Sequence, residues 1–66
     1  MIRLLKLNGS DFVLNAELIE TVEATPDTVI TTTNGKKLVV KDSVEDVVEK
    51  VIEYKRKVQL INRLEE

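Results

Sequence analysis

Two Asn-Gly pairs constrain the fold of this chain more than any other feature of its sequence. Asn8-Gly9 and Asn34-Gly35 each lie between short runs of aliphatic or β-branched residues. An Asn-Gly pair in that setting is the strongest short-range signal for a two-residue type I′ turn between antiparallel strands. The sequence therefore predicts two tight β-hairpins, each with an Asn-Gly loop.

A two-residue loop also predicts which residues face each other across each hairpin. It places Leu4 opposite Val13 in the first hairpin and Ile30 opposite Val39 in the second. Apolar side chains then occur on both faces of each hairpin, so neither face is expected to be fully solvated. The sheet face around these four residues is a candidate binding surface.

The segment between the hairpins predicts a short turn and a fifth strand. Asn15 is suited to cap the turn, and a strand from Thr21 to Thr25 follows it. Pro26-Asp27 closes this strand, because proline presets the dihedral angle of the second turn position. The prediction for residues 1–42 is thus a five-strand antiparallel meander.

The spacing of apolar residues changes at Ser43. From there they recur every three or four positions, as in an amphipathic helix. Ser43 is suited to cap this helix, and Asp46 and Lys50 have the spacing of a favourable i, i+4 ion pair. The apolar stripe comprises Val44, Val47, Val48, Val51, Tyr54, Val58, Ile61 and Leu64. The expected fold class is therefore α+β: one domain over residues 1–66, with the sheet in 1–42 and one long C-terminal amphipathic helix in 43–64.

The predicted helix is longer than the sheet that it covers. A helix of this length spans on the order of 30 Å, whereas strands of about six residues span roughly 20 Å. A chain of 66 residues without cysteine or histidine also has a small core and neither a disulfide nor a zinc site to support it. We therefore expect a homo-oligomer, of a state that so few heptads do not specify. The predicted interface residues are Tyr54, Val58, Ile61 and Leu64. The alternative is a sheet that curls around the whole helix.

The sequence offers few of the side chains that catalysis needs. The absence of histidine and cysteine excludes the usual nucleophilic triads and zinc sites. Glu20 and Glu23 form the one close carboxylate pair of the sheet region, but at this spacing in a strand they point to opposite faces. We expect no enzyme activity, no catalytic residue, no metal and no cofactor.

Charge and hydropathy indicate a soluble protein that does not bind nucleic acid. Ten basic and twelve acidic residues give a net charge of −2. The basic clusters Lys36-Lys37 and Lys55-Arg56-Lys57 lack interleaved aromatic residues, and their ordinary explanation is a soluble sheet edge and a favourable helix dipole. No run approaches the roughly 18 apolar residues of a membrane span, so a cytoplasmic location is expected.

Several short segments occur in a distinctive order ahead of an acidic helix. They are Leu7-Asn8-Gly9, Phe12-Val13-Leu14-Asn15, Leu18-Ile19-Glu20, Thr25-Pro26-Asp27-Thr28-Val29-Ile30, Asn34-Gly35-Lys36-Lys37 and Val39-Val40. In this order, from residue 1 to about residue 57, they resemble the FlbD family of flagellar proteins, which includes SwrD. Thr32 and Leu38 depart from the family pattern, which often has a larger apolar residue and an aromatic residue at these positions.

The resemblance implies a small bacterial protein of the cytoplasm, near the flagellar base. Such a protein supports the power of the flagellar motor, and through it swimming and swarming motility. The family pattern offers no active-site residues to transfer, so the implied mode of action is protein–protein binding. Components of the motor stator or of the cytoplasmic switch are the expected partners.

A small RNA-binding regulator of the carbon-storage type is the alternative function. Such proteins also combine five short strands with one C-terminal helix at this length. They gather basic residues along an edge strand, whereas this chain has an isoelectric point of about 5.1. Release of counterions from RNA would therefore contribute little binding energy to this chain, which favours the flagellar function.

Overall fold

The computed structural model describes residues 1–24 and 26–65, with side chains up to residue 60. Within these ranges, five antiparallel strands precede one long helix, which confirms the predicted α+β fold class. The elements in chain order are β1 (Ile2–Leu5), β2 (Asp11–Leu14), a 3₁₀ turn (Ala16–Leu18), β3 (Ile19–Glu23), β4 (Thr28–Thr32), β5 (Lys37–Val40) and α1 (Val44–Glu65).

The first hairpin has a three-residue loop, so its predicted register is wrong by one position. Gly9 N–H donates to the carbonyl of Lys6, and Lys6 N–H donates to the carbonyl of Ser10, both at 2.9 Å. Gly9 has a φ of +89°, whereas Asn8 does not have a positive φ. A type I′ turn needs positive φ at both central residues, so the loop is instead of the kind in which one left-handed glycine forms a bulge. Leu4 therefore faces Phe12 rather than Val13.

The second hairpin repeats this arrangement, and its predicted register is wrong for the same reason. Gly35 N–H donates to the carbonyl of Thr32 at 2.9 Å, and Thr32 N–H donates to that of Lys36 at 2.8 Å. Gly35 has a φ of +86°. Ile30 consequently faces Leu38 rather than Val39.

The shift of one residue gives each hairpin one apolar inner face. Side chains alternate between the two faces of a strand. When the register shifts by one residue, the side chains of one strand therefore move to the opposite face relative to those of its partner strand. Leu4, Ile30 and Val40 now point inward and are fully buried together with Val47 of α1. The half-buried residues packed against this core are Phe12, Leu14, Ile19, Val22, Leu38, Val51 and Tyr54.

The five strands form two sheets rather than the one predicted meander. β1 pairs with β2, and β3, β4 and β5 form the second sheet. The 3₁₀ turn diverts the chain between β2 and β3, and the Asn15 side chain caps it by accepting the N–H of Glu17 at 3.1 Å. The sheets meet instead at β1 and β5, where Lys6 forms an isolated antiparallel bridge with Val40.

The middle strand begins two residues earlier than predicted. Ile19 already pairs with Thr32, and a register irregularity follows before Thr21. The strand ends at Glu23, and the predicted end at Thr25 lies outside the described residues.

The helix begins where the sequence predicts. Asp46 N–H donates to the Ser43 hydroxyl at 3.1 Å, and Val47 N–H donates to the Ser43 carbonyl at 3.0 Å. The first bond satisfies an amide group that the first helical turn leaves free, and the second is the first regular backbone bond of the helix. Val47, Val51 and Tyr54 then pack against the core, which places the first three turns of α1 over the inner face of the strands.

Candidate interaction surfaces

Two side chains near α1 bond to the edge of β1 that faces away from β2. Lys6 bonds to Ser10 across the hairpin, so by alternation Arg3 and Leu5 direct their backbone groups away from β2. Leu5 N–H donates to Asp42 Oδ1 at 2.8 Å, and Lys50 Nζ donates to the Arg3 carbonyl at 2.7 Å. Lys50 also donates to Asp42 Oδ2 at 2.8 Å. The pair therefore connects the start of α1 to the strand edge.

The surroundings of the Asp42 carboxyl group favour its ionised form. Its side chain is 8% exposed, and this burial raises the pKa of Asp42. The hydrogen bonds from Lys50 and from the Leu5 amide, with the positive charge of Lys50, outweigh that effect and lower the pKa below its usual value. With both carboxylate oxygens occupied, the group has a structural part rather than a reactive one.

A cleft of about 450 Å³ lies beside this pair, between β1 and α1. Its walls combine the aliphatic start of β1 with the Tyr54 ring, and its rim carries Arg3, Asp11, Glu53 and Lys57. Arg3 and Asp11 face each other at 3.7 Å, with both side chains largely exposed. The rim charges are therefore of both signs, and the cleft has no net preference for an anion or a cation.

The second half of α1 carries the predicted oligomer interface. Tyr54 is half-buried and is the last described helix residue packed against the core. Val58 is half-buried one turn further on, and Leu60 is 58% exposed. The molecule measures 43 × 23 × 18 Å, and α1 continues to Glu65. The side chains of Ile61 and Leu64, which complete the predicted interface, lie outside the described residues.

The residues of the predicted sheet-face surface are divided between the two faces. Leu4 and Ile30 are fully buried in the core, whereas Val13 is 56% exposed and Val39 is also exposed. The physical reason is the one-residue shift of both hairpins, which places Val13 and Val39 on the outer face. These four residues therefore do not form one surface.

The sequence did not predict the ion pair between Asp42 and Lys50 or its bonds to the edge of β1. The i, i+4 rule assigns Lys50 to Asp46, yet its ammonium group binds Asp42, eight positions earlier and before the helix begins. No periodic pattern links residues of a loop, a strand edge and a helix. A lysine on the apolar side of a short helix segment is the only signal that could have drawn attention to this position.

Two further properties of the described residues concern ligands and membranes. Among the described side chains, those of residues 1–24 and 26–60, no group of three or more acidic residues is placed to hold a metal ion. The same part of the chain contains no helix with the length and apolar character needed to cross a bilayer.

Comparison with protein families matches most of the chain. The model of the FlbD family, described as flagellar and swarming motility proteins, matches residues 1–59. Comparisons with curated proteins and with solved structures gave no significant match.

Proposed function

Because this chain belongs to the FlbD family of flagellar and swarming motility proteins, we propose that it supports the power of the flagellar motor by binding other proteins, without catalysing a reaction. The family membership carries the motility role. The binding mode and the effect on the motor are the parts that this proposal adds.

The far half of α1 supports a role in binding. Val58 lies one turn past Tyr54, the last described residue that packs against the core, and keeps part of its apolar surface in contact with water. Fully burying an exposed side chain of this kind is worth roughly 1.5 to 3 kcal/mol, so a second molecule that covers the half-buried Val58 gains part of this energy. We propose that a second copy covers it and that Tyr54 and Val58 lie in this contact, here called the helix seam.

The chemistry of the charged groups supports a non-catalytic role. The pKa of the Asp42 carboxyl group is lowered, and both of its oxygens accept hydrogen bonds, one from the Leu5 amide and one from Lys50. Its ionised form holds the strand edge to the helix. A carboxylate used in this way is not available as a general base.

The proposal assigns the protein to the cytoplasm at the base of the flagellum, where the stator or the switch of the motor is the partner. A functional fluorescent fusion should form foci that coincide with flagellar bases. Deletion of stator or switch components, one at a time, should disperse the foci in only one case, which identifies the partner. Uniform fluorescence in the parent strain contradicts the proposed location.

The motor role is tested by measuring rotation under load in a deletion strain. Beads attached to flagellar stubs should turn more slowly at high load than in the parent strain, while the number of filaments per cell stays the same. Loss of filaments would instead indicate a role in flagellar assembly. Unchanged rotation would contradict the proposed effect on motor power.

The helix seam is tested by complementing this strain with Val58→Asp. A buried carboxylate is costly to desolvate, so the variant should lose the seam while its circular dichroism remains that of the parent. It should restore rotation poorly. Lys36→Ala, a change at an exposed turn residue, should restore it fully. A folded Val58→Asp protein that has the parent's oligomeric state would show that this seam does not form.

A further inference from the structure

An apolar groove opens between the tips of the two hairpins. It encloses about 580 Å³ and is lined by Lys6, Leu7, Asn8, Phe12, Leu14, Lys37, Leu38 and Val39. Five of these eight residues are apolar, and the groove contains no described residue of α1. It is therefore a separate surface from both the β1–α1 cleft and the helix seam.

The groove follows from how the two sheets are joined. β1 and β5 make a single bridge, between Lys6 and Val40, and each hairpin then continues to its own loop. Because β1 and β5 are not paired beyond this bridge, the inner faces of the two hairpins are uncovered near the hairpin loops. Phe12, Leu14 and Leu38 are inward-facing residues that this opening leaves only half-buried.

The charges at the rim of the groove have one sign. Lys6 and Lys37 are both exposed, and the lining residues include no carboxylate. The Lys6 ammonium lies 5.7 Å from the centre of the Phe12 ring, which keeps it over the apolar floor. This arrangement suits an apolar segment that carries acidic side chains.

The first half of α1 presents a surface with that chemistry. Val48 and Ile52 are large apolar residues that are 44% and 45% exposed. With Glu45 and Glu49 they follow the spacing i, i+3, i+4 and i+7, which places all four residues on one side of the helix. We call these four residues the acidic strip.

We propose that the groove between the hairpin tips binds the acidic strip of a second copy of this chain. Val48 and Ile52 would enter the apolar floor, and Glu45 and Glu49 would approach Lys6 and Lys37. The two surfaces match in charge, two positive against two negative, and each contains apolar groups that the single chain leaves exposed. This contact extends the self-association of the proposed function but uses none of the helix-seam residues.

The contact joins two different surfaces and is therefore heterologous. Each copy keeps a free groove at one end and a free strip at the other, so addition continues until a ring closes or a filament forms. An isologous contact such as a symmetric seam stops at two copies. Mixing experiments can distinguish the two kinds of contact.

The test uses chains that carry Val58→Asp, so that the helix seam does not contribute. The groove variant adds Lys6→Glu and Lys37→Glu, and the strip variant adds Glu45→Lys and Glu49→Lys. Lys41→Glu with Lys57→Glu is the matched control, since both lysines are exposed and lie outside the groove and the strip. Circular dichroism verifies that each variant is folded.

Sedimentation velocity measures the assembly of each chain at concentrations up to about 1 mM. The Val58→Asp chain and the control should form species larger than the 7.5 kDa monomer, and these should dissociate as salt shortens the range of charge interactions. The groove variant and the strip variant should each assemble at least about tenfold more weakly, because like charges then face each other.

Mixing gives the decisive result. The reversed groove and the reversed strip are complementary to each other, and the unchanged strip and groove of the two partners are also complementary. An equimolar mixture of the two variants should therefore recover assembly with both variants present in the complex. A mixture that remains monomeric, or variants that assemble as the control does, would overturn the proposal.

The outcome is independent of the helix seam. A Val58→Asp chain that is monomeric at every concentration would overturn the groove contact and leave the seam intact. A Val58→Asp chain that assembles, and that loses assembly in the groove variant, supports the groove contact whether or not the seam exists.

Discussion

Lys50 Nζ lies 2.8 Å from a carboxylate oxygen of Asp42, although the two residues are eight positions apart and only Lys50 belongs to the helix. The same ammonium group reaches the Arg3 carbonyl, and the second oxygen of Asp42 accepts the Leu5 amide. The ion pair thus satisfies the Leu5 amide and the Arg3 carbonyl, and Lys41 N–H donates to the Leu5 carbonyl beside them at 2.8 Å. An unpaired strand edge invites association with other chains, and these bonds protect that part of β1.

Asp42→Asn should destabilise the fold in a pH-dependent way. Because folding lowers the pKa of Asp42, its stabilising effect is fully present above the unfolded pKa of about 3.9 and is lost as the pH falls through the folded value. We expect a loss of about 1 to 2 kcal/mol at pH 7, limited by the partial exposure of Lys50. Urea unfolding at pH 7 and pH 3 measures it.

The difference between parent and Asp42→Asn should be smaller at pH 3 than at pH 7, because pH 3 lies below the unfolded pKa and the stabilisation that ionisation of Asp42 supplies is then already declining. Glu20→Gln changes the same charge at an exposed position of β3 and should alter the free energy of unfolding by less than about 0.5 kcal/mol. An equal loss from Asp42→Asn at both pH values would show that ionisation of Asp42 does not stabilise the fold.

The register of the first hairpin is tested with a cross-strand disulfide. Arg3 and Val13 face each other outside a hydrogen-bonded pair, where Cα atoms lie about 4.5 Å apart, within the range that a disulfide tolerates. Arg3→Cys with Val13→Cys should oxidise readily in the folded protein, and the chain has no other cysteine. Arg3→Cys with Leu14→Cys is the pair that a two-residue loop would favour. Faster oxidation of that second pair would contradict the observed register.

Gly35→Ala should destabilise the second hairpin by about 1 to 2 kcal/mol. The φ of Gly35 is +86°, a conformation that a β-carbon disfavours, although an added β-carbon would meet no other atom within 4 Å. Strain in the backbone is therefore the only cost. Gly35→Asn should cost less, because asparagine adopts this conformation more readily. Thermal unfolding of both variants checks the order, and equal midpoints for alanine and asparagine would contradict it.

Val47 and Val48 are adjacent helix residues with opposite environments. Val47 is fully buried, so Val47→Ala should cost about 2 kcal/mol through lost burial and the cavity that remains. Val48→Ala removes the same atoms from an exposed position and should change the free energy of unfolding of the monomer by less than about 0.5 kcal/mol. Denaturant unfolding at low protein concentration measures both. Similar losses would show that α1 is rotated from the described orientation.

Local sequence patterns were sufficient for the elements of this fold. Asn8-Gly9 and Asn34-Gly35 mark both hairpin loops, and the change from strand to helical spacing marks the start of α1 at Ser43. Each of these signals acts within a few residues, through turn conformation or through the cap of a helix. The family resemblance likewise depends on the order of such segments, and the match over residues 1–59 confirms it.

The pairing register of the two hairpins could not be predicted from the Asn-Gly pairs alone. An Asn-Gly pair is compatible with a two-residue loop and with a three-residue loop that ends in a left-handed glycine. The choice reverses which side chains face inward, and packing decides it. In the observed register Leu4 and Ile30 join one core with Val47, whereas the alternative pairing would divide the apolar residues between two faces.

The candidate surfaces were decided almost entirely by tertiary structure. By itself, the sequence determined an α+β chain with two hairpins, a capped helix and apolar residues that continue beyond the sheet. Only the fold brought Asp42 to Lys50 and opened a groove between Lys6 and Lys37, since these residues are distant along the chain and follow no period. Such contacts depend on where two sheets meet, and the single bridge between Lys6 and Val40 sets that geometry after every local element has formed.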